Sequence, residues 1–101
     1  MFYILNGRKV VPVKDVLVWS KWIQTADRMV KSEDYKGYRV ATIFTGLDYS
    51  YDGDAPVVFE TMIFKKGSRV DMYCDRCSTY KQAEQMHEKA KKTIDDGVQD
   101  A

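Results

Sequence analysis

The hydrophobic and polar positions change period along the chain, and the strongest strand pattern lies in its middle. Apolar and β-branched residues there predict two β-strands, Val40–Leu47 and Val57–Phe64. The polar, acidic connection at residues 48–56 is too long for a tight turn, so we expect a hairpin with a large loop. A third strand is predicted over Arg69–Arg76. Because both faces of the first two strands carry apolar residues, we expect partial cover on both sides or self-association through one face.

A second, shorter hairpin is predicted at the start of the chain. The β-prone runs Phe2–Leu5 and Arg8–Val13 flank Asn6-Gly7. This dipeptide typically supplies the two positive-φ positions of a type I′ turn. Pro12 has no amide hydrogen to donate to a ladder, which places it at a sheet edge or a strand end.

Two amphipathic helices complete the predicted elements. The first runs roughly from Val16 to Lys31, with Asp15 as its N-cap. Its apolar stripe is formed by Trp19, Trp22, Ile23, Ala26, Met29 and Val30. The second begins at a capping box, T-x-x-Q, over residues 79–82, and Gly97 suits the position just past its end. Its apolar seam is formed by Tyr80, Ala83, His87, Ala90 and Ile94, with Met86 beside it.

These elements predict a single α+β domain over residues 1–101, in which an antiparallel sheet (the N-terminal hairpin plus a three-strand meander) packs with two α-helices. Sixteen Lys and Arg against fifteen Asp and Glu give a net charge of +1, which does not indicate nucleic-acid binding through a general positive field. No signal peptide or long apolar segment is recognised, so we expect an intracellular protein without a membrane partner.

The acidic loop imitates the front half of a calcium-binding loop. Oxygen-bearing side chains and a glycine occupy positions 1, 3, 5 and 6, namely Asp48, Ser50, Asp52 and Gly53. The closing position 12 is Phe59, and Glu60 comes one residue late. The same residue types are usual in a solvated loop, so we predict no metal and no cofactor here.

Cys74 and Cys77 form the chain's one CxxC pair. A structural zinc needs four ligands, so such a site would require a second protomer. A redox pair normally opens a helix, whereas this pair precedes the predicted helix start at Thr79. We therefore expect two reduced, unreactive thiols.

His87 is the chain's one histidine and lies on the apolar seam of the second helix. That position is typical of a packed histidine with a single hydrogen bond. The alternative is a small hydrolase or nucleotide-processing enzyme in which His87 acts with Glu60 or Asp48. The sequence contains no GxSxG, P-loop, HExxH or dinucleotide-binding motif.

Tyrosines and cations are scattered over the predicted loops. Such residues are typical of protein contact surfaces and can also stack on bases. The candidate binding residues are Asp48, Tyr49, Tyr51, Asp52, Lys65, Lys66 and Arg69.

The order of several short motifs is also informative. They are Trp19-x-x-Trp22, Ala26-Asp27-Arg28, TIFTGLD ending at Asp48, Phe59-Glu60-Thr61-Met62, Ser78-Thr79 and Ala83…His87. From Val10 to Ala90 this order resembles a family of small bacteriophage-encoded proteins of unknown function. The chain departs from that family at Tyr49, where histidine is usual, and at Lys65-Lys66, where glycines are usual.

This family supplies no known activity, cofactor or catalytic residue to carry over. For a phage gene product, the size and charge fit a non-enzymatic accessory protein in the host cytoplasm that binds a host protein or complex, and the two-sided apolar strands are compatible with a homodimer. Inhibition of a host defence factor and sequestration of a small ligand are the two modes of action that we expect.

Overall fold

The computed structural model describes residues 2–50 and 55–97, and every structural statement below concerns those residues. It contains two antiparallel sheets and two helices, which confirms the α+β class. The elements in chain order are β1 (Phe2–Asn6), β2 (Lys9–Val13), α1 (Val16–Thr25), β3 (Met29–Tyr35), β4 (Tyr38–Phe44), β5 (Phe59–Lys65), β6 (Asp71–Cys77) and α2 (Tyr80–Asp95). Strands β1 and β2 form one sheet, and β3 to β6 form the other in sequence order.

The N-terminal hairpin is confirmed, but the turn type predicted for it is wrong. Asn6 pairs with Lys9, so Gly7 and Arg8 are the central residues of the turn. Gly7 has a φ of +62°, whereas Arg8 is not among the described residues with positive φ. A positive φ at the first central residue alone is the pattern of a type II′ turn. Pro12 lies on β2, whose one neighbour in the sheet is β1.

Helix α1 begins as predicted but ends six residues before the predicted Lys31, at Thr25. The Asp15 carboxylate accepts a hydrogen bond of 2.9 Å from the backbone N–H of Leu17, which confirms the N-cap. After the helix, the side chain of Asp27 accepts a bond of 3.1 Å from the N–H of Met29. An aspartate bonded to the backbone two residues ahead favours a turn and competes with helix continuation.

The residues beyond this turn form β3, so the four-stranded meander replaces the three-strand one that was predicted. Lys36 and Gly37 have φ values of +50° and +84° and join β3 to β4 in a two-residue turn with the type I′ pattern. Met29 and Val30 fit the helical spacing but belong to this strand. The strand conformation prevails because it pairs the backbone with β4 and packs Val30 against the core.

Helix α2 crosses one face of the four-stranded sheet and contacts all four strands. Its capping box is complete: the Thr79 hydroxyl accepts from the backbone N–H of Gln82, and the Gln82 side-chain oxygen accepts from the backbone N–H of Thr79. The buried residues confirm most of the predicted seam and are Ala83, Met86, His87, Ala90 and Ile94. They pack on the strand residues Val40, Phe44, Phe59 and Ile63 in two clusters. Neither described helix is long and apolar enough to cross a membrane.

The N-terminal hairpin and α1 close one end of this core. Tyr3, Leu5, Val10 and Trp22 pack against the cluster that contains Phe44. The backbone N–H of Tyr3 donates to the carbonyl of Gly46 at 2.9 Å, and the Trp19 indole N–H donates to the carbonyl of Tyr3 at 3.0 Å. These bonds hold β1, α1 and the end of β4 together.

The face of the meander that points away from α2 is called the open face here. Side chains alternate along a strand, so the neighbours of the buried positions on β4 and β5 point to it. Its apolar centre is formed by Ala41, Ile43, Met62 and Phe64, and its charged border by Asp34, Arg39, Glu60, Asp71 and Arg76. The four central residues belong to neither buried cluster, and no described helix packs on them. No described helix packs on this face, although Ala41 at its centre is only 7% exposed; self-association through the face stays a prediction.

Candidate binding surface

The predicted binding residues separate into two groups at opposite ends of the β4–β5 hairpin. Lys65, Lys66 and Arg69 lie at the turn between β5 and β6. Asp48 and Tyr49 lie beyond the other end, next to the start of β5. The length of β5 separates the two groups by roughly 20 Å at about 3.3 Å per residue. The two remaining candidates, Tyr51 and Asp52, fall outside the described residues.

The first group forms part of a cationic cluster, which is called the basic end here. It comprises Arg39, Lys65, Lys66 and Arg69 together with Asp34, and these side chains line an open cavity of about 370 Å³. The cluster arises because two hairpin turns meet: the backbone N–H of Lys66 donates to the carbonyl of Gly37 at 3.1 Å. This contact brings the β5–β6 turn beside the β3–β4 turn.

The basic end is rich in positive charge. Its lining side chains include four cations and one acid, a formal charge of +3 within a chain whose total is +1. Lys66 and Arg69 make no ion pair with any described residue. The guanidinium of Arg39 donates to the Ser32 hydroxyl at 3.1 Å. An anion can therefore bind without first breaking ion pairs of Lys66 or Arg69.

The second predicted group has a structural role at the far end. One oxygen of Asp48 accepts the backbone N–H of Ser50 at 2.8 Å and that of Val57 at 2.9 Å. These two bonds hold the pKa of Asp48 below its usual value and clamp the start and end of the loop. The ring of Tyr49 is covered by the guanidinium of Arg76, 4.6 Å from its centre. Of the positions in the calcium-loop interpretation, Asp52 and Gly53 lie outside the described residues.

The open face is continuous with the basic end. Asp34, Arg39, Phe64 and Asp71 are paired partners across the four strands, and the first two of them also line the cavity. Val70, in the same turn as Arg69, is 76% exposed. Apolar surface and unpaired cations are thus adjacent on one side of the molecule.

A buried polar chain lies between the sheet and α2. The Thr42 hydroxyl is 2.5 Å from the Thr61 hydroxyl and 2.8 Å from Nδ1 of His87. Nε2 of His87 is 2.9 Å from the carboxylate of Glu33 on β3. A carboxylate only accepts, so Nε2–H donates to Glu33; in the neutral imidazole Nδ1 then accepts from the Thr42 hydroxyl. The prediction of a packed histidine is confirmed, with two hydrogen-bonded partners rather than one.

This order of hydroxyl, imidazole and carboxylate is also the order of a nucleophilic relay. Thr42, Thr61 and His87 each have no exposed surface, so the hydroxyls are closed to a substrate. The carboxylates proposed from sequence are elsewhere: Glu60 points to the open face, where it bonds Cys74 and Arg76, and Asp48 clamps its loop. These hydrogen-bonded side chains therefore form a buried polar network in which each polar group has a partner.

Glu33 is the charged end of this hydrogen-bonded network. The hydrogen bond from His87 holds its pKa down at about 2, supported by the ammonium groups of Lys91 at 3.2 Å and Lys31 at 3.5 Å. Glu33, His87 and Glu88 place ligand atoms within 4.8 Å of one another, a spacing that could hold a divalent cation. Both lysines also pair with Glu88 at 3.4 Å, so two ammonium groups already neutralise these carboxylates.

The sequence prediction missed Glu33 because it assigned the residues of β3 to a helix and a polar turn.

The CxxC pair does not form a joint site within the chain. Cys74 pairs with Met62 and Cys77 with Phe59, so the two side chains point to opposite faces of β6. Partial desolvation raises the pKa of each thiol to about 11, and at Cys74 the carboxylate of Glu60 adds to the effect. Both groups are protonated at neutral pH, as expected for unreactive thiols.

Fold and surface together define a small α+β protein with one sheet face covered by α2 and one open face that has a border of mixed charge and a basic end. Comparison with known proteins finds no protein family, no curated protein and no solved structure that matches this chain.

Proposed function

We propose that this chain is a non-enzymatic binding protein, a bacteriophage-encoded accessory protein that occupies a surface of a host protein or complex in the host cytoplasm. The observation that carries the proposal is the continuity of the open face with the basic end. An apolar centre with a charged border is the usual composition of a protein interface. Inhibition of a host defence factor is the action that fits this role best.

The chemistry of the described residues supports binding rather than turnover. The imidazole and its hydroxyl partners are fully buried, and both thiols have raised pKa values. A catalytic group must reach its substrate within hydrogen-bond distance. The accessible feature that the chain offers is instead the open face with its basic end.

The size of this surface explains why both parts are needed. Four strands of seven residues present a face of roughly 20 by 20 Å at the spacings of a β-sheet. A stable interface commonly buries about 800 Å² per partner, which is more than this face alone offers. The basic end extends the contact area at the edge of the sheet, and its cations orient the bound partner relative to the sheet.

The test compares capture of host proteins by three forms of the tagged chain. Met62→Glu places a charge at the centre of the open face. Leu17→Glu is the matched control, because Leu17 is 69% exposed on α1, which packs on the other sheet. We expect a host protein that is captured by the wild type and by Leu17→Glu and is lost with Met62→Glu.

Light scattering after size exclusion gives the second readout. If the occupant of the open face is another copy of the chain, the wild type is a dimer and Met62→Glu is a monomer. A monomeric wild type that captures nothing, or a captured protein that Met62→Glu retains at wild-type level, contradicts the proposal.

A further inference from the structure

We propose that the basic end binds a carboxylate-rich segment of the partner protein, in which aspartates or glutamates stand next to an apolar side chain. This inference rests on the proposed binding function and names the chemistry of the contact. Arg39, Lys66 and Arg69 are the residues that hold the acidic groups, and Phe64 and Val70 supply the neighbouring apolar contacts.

The first argument is the availability of the cations. Neither Lys66 nor Arg69 has an ion-pair partner among the described residues, and Arg39 bonds a neutral hydroxyl. Elsewhere several cations are already engaged: Lys31 and Lys91 with Glu33, and Lys36 with Asp95. Binding at the basic end therefore gains new charge pairs, whereas binding at the engaged lysines would exchange existing ones.

The second argument concerns the limits of the positive charge. A nucleic-acid backbone carries phosphates continuously and needs a positive track along its path. The path from the basic end onto the open face meets Asp34 and Asp71, and Glu60 lies further along it. These carboxylates repel a phosphate chain but leave room for a short acidic segment that stops at the cavity.

The third argument is the apolar surface beside the cations. Val70 is 76% exposed in the same turn as Arg69, and Phe64 is the direct strand partner of Arg39. A peptide supplies apolar side chains to such positions, whereas a sugar–phosphate backbone does not. The guanidinium fork of an arginine also matches a carboxylate in two parallel hydrogen bonds.

The experiment is an NMR titration of the isotope-labelled full chain at low ionic strength. The ligands are a short glutamate- and leucine-containing peptide, the same peptide with glutamine in place of glutamate, and an oligothymidylate of equal charge. We expect the acidic peptide to shift the amide signals of residues 39 and 66–70 and to leave those of α2 unchanged. The glutamine peptide should cause no saturable shift.

The paired variants measure the part played by charge. Lys66→Gln with Arg69→Gln removes two cations of the basic end, and Lys21→Gln with Lys89→Gln removes two exposed cations on the helices. From the strength of exposed ion pairs, we expect the first double variant to weaken binding of the acidic peptide by about fivefold to thirtyfold. The second double variant should weaken it by less than about twofold. Unchanged melting temperatures would show that both double variants are folded.

Three outcomes overturn the inference: no saturable binding of the acidic peptide, equal loss in both double variants, or tighter binding of the oligothymidylate at the same residues. Each of these leaves the proposed function standing if Met62→Glu still abolishes capture of the host protein. If Met62→Glu leaves capture unchanged while the acidic peptide binds, the basic end is confirmed and the proposed role of the open face fails.

Discussion

Gly46 offers the sharpest test of how the N-terminal unit packs on the main sheet. It follows β4 with a φ of +75° and is buried beneath α1. A Cβ atom at this position would lie 2.8 Å from Cδ1 of Ile23, 3.0 Å from Nε1 of Trp19 and 3.2 Å from the carbonyl oxygen of Tyr3. Gly46→Ala is therefore opposed by both the backbone conformation and the neighbouring atoms.

The two costs can be separated with a second glycine. Gly37 has a φ of +84°, but nothing lies within 4 Å of its Cβ position. Gly37→Ala should cost only the left-handed conformation, about 1–2 kcal/mol of unfolding free energy. Gly46→Ala adds overpacking of about 1–3 kcal/mol, since Trp19 is tied by its hydrogen bond to Tyr3 and cannot simply rotate away.

Urea unfolding followed by tryptophan fluorescence measures the difference, because both tryptophans of the chain lie on α1. Ile23→Val removes the atom that makes the shortest contact. In that background we expect the extra cost of Gly46→Ala to fall by about 1 kcal/mol, a coupling that a double-mutant cycle detects. If Gly46→Ala and Gly37→Ala differ by less than about 0.5 kcal/mol, the steric part of the reasoning is refuted.

Three further predictions concern the buried network and the thiols. The pKa of Glu33 is about 2 in the folded chain against 4.5 in the unfolded one, so its contribution to stability is present above pH 4.5 and is lost as the pH falls towards 2. The unfolding free energy of Glu33→Gln should accordingly fall less steeply between pH 4.5 and pH 2 than that of the wild type. An unchanged slope would count against the network. His87→Leu leaves a buried threonine hydroxyl without its acceptor and should cost about 2–4 kcal/mol in urea unfolding; a wild-type midpoint would contradict the hydrogen-bond assignment. Cys74 and Cys77 should alkylate at pH 7 about tenfold or more slowly than a free thiol, and a mild oxidant should form no bond between them within one chain, as read by mass spectrometry; fast labelling would refute the raised pKa values.

Several features of the fold could be predicted because their causes are local. The capping box at Thr79 and the helical spacing of the α2 seam identified that helix and most of its buried face. Pairs of β-prone runs around turn residues identified both hairpins, and these strands together with the helical patterns identified the α+β class. In each case the determining residues lie within a few positions of one another.

Strand β3 could not be predicted because its sequence agrees with two structures. Met29 and Val30 continue the helical spacing of α1, and that pattern alone favours a longer helix. The tertiary structure chooses the strand, since β4 supplies hydrogen-bond partners and the core accepts Val30. The loss of this strand from the prediction also hid the role of Glu33.

Some features of the candidate surface could also be predicted from the sequence, and others could not. The sequence by itself indicated a charged turn at Lys65 and Lys66, but it assigned Arg69 to the following strand, which begins only at Asp71. Only the tertiary structure decided that Arg39 joins them, that Asp48 serves its own loop and that one sheet face stays open. Those outcomes depend on strand register and on which face α2 covers, and such pairings between distant residues are set by the free energy of the whole packed chain.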